Sequence, residues 1–265
     1  MTHPPAARTA PPEARERRTS LRERLVSAAL WALGLAWLIA WLPALTLLSK
    51  LIPAHRTDAL TRVYTAGQVR LTLCRWRALV HPNVDPHTPY LFVQNHINLL
   101  DHCTMYNATP HYKQGMELKS HFRIPFYGPF MRGRGTLAVE PGSPAGLRQL
   151  LRDMKRELAE GRSLLAFPEG TRTRTGRVAA FQPGIFALAR QLKLPVVPVA
   201  VVGMHEVIAT GEHVFRPFRE VTVHVMEPMP TDEVSKEDLP AFVEAVRGRI
   251  AERVDAWYFA RGDAP

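Results

Sequence analysis

A histidine and a carboxylate lie five positions apart in Gln94-Asn95-His96-Ile97-Asn98-Leu99-Leu100-Asp101, directly after an apolar run that ends at Val93. On one continuous helix such a pair diverges by about 140°, so His96 must precede the helix that carries Asp101. Asn98 is a good N-cap with Asp101 three residues on, which predicts a strand, a short turn carrying His96, and a helix from near Leu99. A first-turn carboxylate placed this way reaches back to the imidazole. Near pH 7 a neutral imidazole takes a proton from a hydroxyl as it attacks a carbonyl, while the carboxylate fixes the tautomer and stabilises the imidazolium. Two readings stand open at this point: that base-and-acid pair, or a capping carboxylate beside an ordinary loop histidine.

A second constellation follows later. Ser163 to Phe167 reads as a short buried strand, and Pro168-Glu169-Gly170-Thr171-Arg172 breaks it into a loop at its carboxyl end. Glycine lets backbone approach a ligand closely, and arginine offers a planar fork matched to phosphate oxygens. Alone, such an arginine is a solvated charge. Two loops of this kind after two strands have a shared logic, because open α/β sheets bind ligands beyond the carboxyl ends of their strands.

Together these segments resemble the glycerolipid acyltransferases, the group that includes 1-acylglycerol-3-phosphate acyltransferase. Asn95 to Asp101 matches the NHxxxxD signature and Phe167 to Arg172 the FPEGTR signature. Phe181-Gln182-Pro183-Gly184 and the proline-bearing run 196–203 follow in the family's order. The resemblance covers residues 90–203. It implies that His96 deprotonates the free hydroxyl of a lysolipid, which attacks the thioester carbonyl of acyl-CoA or acyl carrier protein, with Asp101 orienting His96. Glu169, Gly170, Thr171 and Arg172 would form the wall for the acceptor's phosphate. The expected acceptor is 1-acyl-sn-glycerol-3-phosphate and the product phosphatidate. Other readings kept open are a different lyso-lipid, such as a lyso-ornithine lipid, or a non-catalytic lipid-binding protein. No cofactor, resident metal or covalent enzyme intermediate is implied.

One departure from the family's pattern bears on the acceptor. Between the two signatures the family has a glycine, an apolar stretch, an acid and an arginine. Here Gly135-Thr136-Leu137-Ala138-Val139-Glu140-Pro141 supplies all but the last. Proline cannot pair with phosphate, so Arg132 and Arg134, close by, are the expected substitutes.

The elements that position these loops begin with an anchor. Residues 25–48 contain no charged side chain, are rich in Leu, Ala and Trp, and carry Pro43 near their end. That length is enough to cross a bilayer core. Residues 58–79 have apolar residues at near-helical spacing beside Arg62, Arg70, Arg75 and Arg77, as in a helix lying on a membrane surface or packed on the following domain. Residues 25–79 are therefore expected to form a membrane-anchoring helical segment, either with 25–48 as a single span or, as the resemblance suggests, as a re-entrant hairpin bent at 43–53, which keeps the remainder on the cytoplasmic face of the inner or plasma membrane. Residues 1–24, with Arg8, Arg15, Arg17, Arg18, Arg22 and Arg24, are expected to be a disordered basic tail.

From residue 80 to 265 the chain reads as one α/β domain: a mixed, largely parallel sheet flanked by helices. Expected strands are 90–94, 136–139, 163–167, 196–202 and 221–226, with clear helices at 144–160 and 236–259. The apolar, proline-broken stretch 122–131 is expected either to line an acyl-chain tunnel or to pack in the core. The chain's 265 residues carry 34 Lys plus Arg against 24 Asp plus Glu, a net charge of +10. That balance suits an anionic membrane or substrate. Nucleic acid is not expected, because no binding motif accompanies the charge. Two cysteines are too few for a disulfide framework. Eleven histidines include no HExxH, so no metal site is expected.

Overall fold

The computed structural model describes residues 19–262. Most of the expected basic tail lies outside the described residues. Its last four residues, 21–24, are helical, because Ser20 and Glu23 close a capping box that starts helix α1 (Leu21–Leu48) ahead of the apolar run. Helix α2 (Asp58–Leu71) follows a short 3-10 turn and doubles back along α1. Trp37 donates its indole N–H to the carbonyl of Tyr64 at 3.0 Å, and any side chain at Gly67 would collide with the Trp37 ring. Glycine at 67 is what lets the two helices approach.

The chain then alternates strands and helices: β1 (Arg75–Val80), β2 (Leu91–Gln94), α3 (Asp101–Ala108), β3 (Lys113–Leu118), α4 (Tyr127–Arg134), β4 (Leu137–Val139), α5 (Pro144–Ala159), β5 (Ser163–Ala166), α6 (Gly184–Gln191), β6 (Val196–Val202), α7 (Met204–Val207), β7 (Glu220–Val225) and α8 (Leu239–Phe259). The seven strands form one sheet in the order β1-β7-β6-β2-β5-β3-β4. Every pairing is parallel except β6 with β7, so β1 and β7 run opposite to the other five. The amino ends of β1 and β7 therefore share a sheet edge with the carboxyl ends of β2, β5 and β6.

Alternation along the central strands sends side chains to two cores. Phe92, Leu165, Val197 and Val199 face α1, α2 and α3. Leu91, Val93, Leu164 and Ala166 face α5, α6 and α8. A third, smaller cluster of Leu42, Leu45, Tyr64 and Phe130 joins α1 and α2 to α4. Much of α1 stays uncovered: its most apolar window has a mean hydropathy of 2.0 and is 17% buried.

Two expectations need correction. The helix expected over 58–79 stops at Leu71, where Leu73 turns through a positive φ of 58° and 75–80 becomes the edge strand β1. Arg75 and Arg77, which suggest a basic helix face, instead alternate outward with Trp76 and Ala78 in a period of two. Strand β3 was not expected, because Lys113-Gln114-Gly115 carries no apolar signal. Its Lys113 is buried and donates to the carbonyls of Thr109 (3.1 Å) and His111 (3.0 Å), with burial holding the amine's pKa well below its ordinary value. The stretch 122–131 divides: Phe130 and Met131 are core, whereas Ile124 and Phe126 are exposed.

Candidate active site

The site is built where β2 and β5 end, at the same edge of the sheet. Beyond β2, Asn95 continues the ladder with its side chain: its amide oxygen accepts from the backbone N–H of Val201 (2.8 Å) and its amide nitrogen donates to the same residue's carbonyl (3.0 Å). Asn98 accepts from the N–H of Leu100 (2.9 Å) and donates to the carbonyls of Met204 (3.1 Å) and Ile208 (3.0 Å). The two asparagines thus pin both ends of the His96 turn to β6 and the segment after it. Helix α3 begins at Asp101, two residues later than Asn98 suggests, because Asn98 is consumed in an Asx turn.

That displacement puts the Asp101 carboxylate under the turn. Its Oδ2 accepts from the backbone N–H of Ile97 (2.5 Å) and Asn98 (3.1 Å) and lies 2.8 Å from Nδ1 of His96. Three donors converging on one oxygen require an acceptor, so Nδ1 carries the proton and Nε2 presents its lone pair. Asp101 is 1% exposed, and burial raises its pKa above the ordinary value against the opposing pull of His96 and the two N–H groups. The imidazole stacks on Phe167, with ring centroids 4.4 Å apart and planes 24° from parallel, while remaining a quarter exposed. Neighbouring His102 is pushed down to about 4 by burial and by Arg134, so it stays neutral.

The 168–172 loop is bonded directly to this turn. Glu169 is 6% exposed, and its two oxygens accept from the N–H of His96 (2.7 Å) and the N–H of Ala179 (2.9 Å). Burial raises its pKa, opposed by those same bonds. The N–H of Thr173 returns a bond to the carbonyl of His96 at 2.7 Å, and Gln182 N–H bonds the carbonyl of Pro168 at 2.8 Å. Gly170 takes a positive φ of 70°, which turns the loop outward and leaves Thr171 and Arg172 exposed. Of the four residues expected to form a phosphate wall, Thr171 and Arg172 project into solvent beside the dyad. Glu169 is turned inward as a tie between the two loops.

Neither expected stand-in for the missing cation is free. Arg134 is 4% exposed, lies 4.6 Å from the rings of both Tyr106 and Tyr112, and binds Asp58 (3.2 Å) and the carbonyl of Lys113 (3.1 Å). Arg132 donates to the carbonyl of Phe122. Arg172 is exposed and has no side-chain partner among the described residues, and the same holds for Arg174 two residues on. Beside the site, Leu30, Gly34, Leu38, Leu71, Leu99 and Phe215 help line an apolar groove of about 270 Å³ that opens between α1 and the turn joining His96 to Asp101.

Sequence reasoning missed Phe167 as the stacking partner, the tie made by Glu169, and the return bond of Thr173. The only available signal was position: all three lie on or next to the strand-end loop that carries Gly170.

Residues 77–202 match the Acyltransferase family. The chain is 30% identical over 168 residues to a chloroplast 1-acyl-sn-glycerol-3-phosphate acyltransferase of Brassica napus, covering 63% of this chain and 47% of the relative. It is 29% identical over 167 residues to the 1-acyl-sn-glycerol-3-phosphate acyltransferase of Saccharomyces cerevisiae, covering 62% and 55%. It thus spans about half the length of these relatives. The crystal structure of the 1-acyl-sn-glycerophosphate acyltransferase PlsC from Thermotoga maritima has the same fold, with a TM-score of 0.72 at 20% identity over 89% of this chain and 97% of that one. At 89% coverage of this chain, the shared fold extends beyond the sheet into the α1–α2 pair.

Proposed function

We propose that this acyltransferase-family chain esterifies a lysophospholipid at a membrane surface, with 1-acyl-sn-glycerol-3-phosphate as acceptor, a fatty acyl thioester as donor and phosphatidate as product. The observation that carries the reading is the His96–Asp101 dyad, with Nε2 unpartnered among the described residues and the exposed Arg172 on the adjoining loop. Nε2 of His96 takes the proton from the acceptor hydroxyl as its oxygen attacks the thioester carbonyl. The tetrahedral intermediate collapses by breaking the carbon–sulfur bond, and the imidazolium returns its proton to the thiolate. Asp101 holds the tautomer and offsets the charge on the ring. Arg172, with Thr171, binds the acceptor's phosphate. The donor is acyl-CoA or acyl carrier protein.

The apolar groove beside Leu99 suits a fatty chain entering from lipid, and the uncovered face of α1 supports membrane attachment through the α1–α2 hairpin on the cytoplasmic side. Proline at 141 and the commitment of Arg134 to Asp58 favour one alternative, an acceptor with less negative charge than lysophosphatidate. The test is acyl transfer by detergent-solubilised protein from labelled acyl-CoA and acyl carrier protein to lysophosphatidate and to uncharged and zwitterionic lyso-lipids. Preference for lysophosphatidate supports the proposal. Transfer only to other acceptors reassigns the substrate.

A further inference from the structure

Leu73 and Phe218 both adopt left-handed backbone conformations, with φ of 58° and 62°, which bulky residues seldom take. Neither is buried. Phe218 is 79% exposed and Leu73 49%. The Phe218 N–H donates to the carbonyl of Leu73 (3.2 Å), and the Arg75 N–H to the carbonyl of Arg219 (2.9 Å), so the two turns form one cross-tied tip. They immediately precede β1 and β7, the strands that run opposite to the rest. The tip therefore projects from the sheet edge that carries His96 and the 168–172 loop.

The tip is fixed to α1. Trp31 packs against Phe215 with ring centroids 5.1 Å apart and planes tilted by 56°, and donates to the carbonyl of His213 (2.9 Å), while Ser27 accepts from the Phe215 N–H (2.9 Å). On α1 itself Leu21, Leu25, Leu33 and Leu35 are exposed. Within four residues of Leu73 or Phe218 in the chain lie Arg70, Arg75, Arg77, Arg216 and Arg219 against Glu220, with Arg216 paired to Glu212 at 2.8 Å. An apolar point flanked in the chain by arginines, continuous with an uncovered apolar helix, matches the boundary of an anionic bilayer, where apolar side chains enter the acyl region and guanidinium groups remain among headgroups.

We propose that Leu73 and Phe218 form a second membrane contact, separate from α1, which seats the His96 edge of the sheet on an anionic lipid surface. It rests on the membrane reading given above, and the following experiment separates the two. Single cysteines are introduced by Phe218→Cys, Leu35→Cys on α1, and Glu252→Cys on the exposed side of α8, in the full chain carrying Cys74→Ser. Cys103 is buried and remains unlabelled in the folded protein. Each is labelled with an environment-sensitive fluorophore and mixed with equimolar phosphatidylcholine–phosphatidylglycerol vesicles containing spin-labelled lipid. The expected result is quenching at positions 218 and 35 at least about twice that at 252. Quenching at 35 with position 218 no different from 252 would overturn the tip and leave the α1 anchor standing. Equal, low quenching at all three would remove the membrane reading and the tip with it.

Discussion

Replacing Glu169 by glutamine separates a structural tie from a substrate ligand, because the two roles predict opposite signatures. The carboxylate accepts two backbone N–H groups, from the His96 turn and from Ala179. A glutamine keeps one of these as a neutral bond and turns an amide N–H₂ toward the other donor. Losing charge assistance on one bond costs about 1 kcal/mol, and leaving the second, part-buried N–H without an acceptor costs about 1–3 kcal/mol. The sum, about 2–4 kcal/mol, falls on the connection between the two loops. For a domain of this size each kcal/mol lowers Tm by about 2–4 °C, so Glu169→Gln should lower Tm by roughly 5–15 °C. The same displacement moves His96, so kcat should fall while KM for the acceptor changes little. Thermal unfolding in detergent and steady-state kinetics over acceptor concentration read both quantities. An unchanged Tm with a raised acceptor KM would refute the reasoning and return Glu169 to the phosphate wall.

Arg172→Ala should raise KM for a phosphate-bearing acceptor by about 10-fold or more and leave Tm within error, because its side chain is exposed and has no partner among the described residues. Equal loss on phosphate-bearing and uncharged acceptors would contradict its role. Arg134→Ala should destabilise the protein by about 3–5 kcal/mol, since it leaves Asp58 without one of its two arginines and opens the space between Tyr106 and Tyr112; chemical denaturation measures it against Arg132→Ala, which should lie close to wild type. Because burial raises the Asp101 pKa above its ordinary 3.8, the folded protein holds that proton at pH values where the unfolded chain has released it. The contribution to stability is therefore full below pH 3.8 and is lost as pH rises through the folded value. Relative to Asp101→Asn, wild-type stability should decline with pH across that window; a flat or rising difference would reverse the sign.

The dyad was legible because its chemistry sits in one contiguous segment: a strand end, a turn and a first-turn carboxylate leave few other ways to fold. The all-apolar run 196–202 was legible for a similar reason, as a strand buried on both faces carries its signal in every residue. Strand β3 was not, because Lys113 is tolerated there through carbonyls of the chain that precedes it, and composition alone marks lysine as surface. Arginine 134 misleads in the opposite direction. A cation near the family's phosphate site reads as a ligand until Asp58 of α2, Tyr106 of α3 and Tyr112 ahead of β3 are brought around it. Glu169 shows the same limit within the site: its charge suggests contact with substrate, and only the fold reveals that two backbone N–H groups already occupy it.

The central claim is that His96 is the base of an acyl transfer, and the most direct measurement compares wild type with His96→Ala in thiol release and lipid product formation from the same acyl thioester and lysophosphatidate. General-base assistance is worth about 10²–10⁴ in rate, so the variant should lose activity on that scale, in both readouts together, while remaining folded. A His96→Ala protein that transfers acyl groups within a few-fold of wild type, or a wild type that releases thiol without forming the lipid ester, would contradict it.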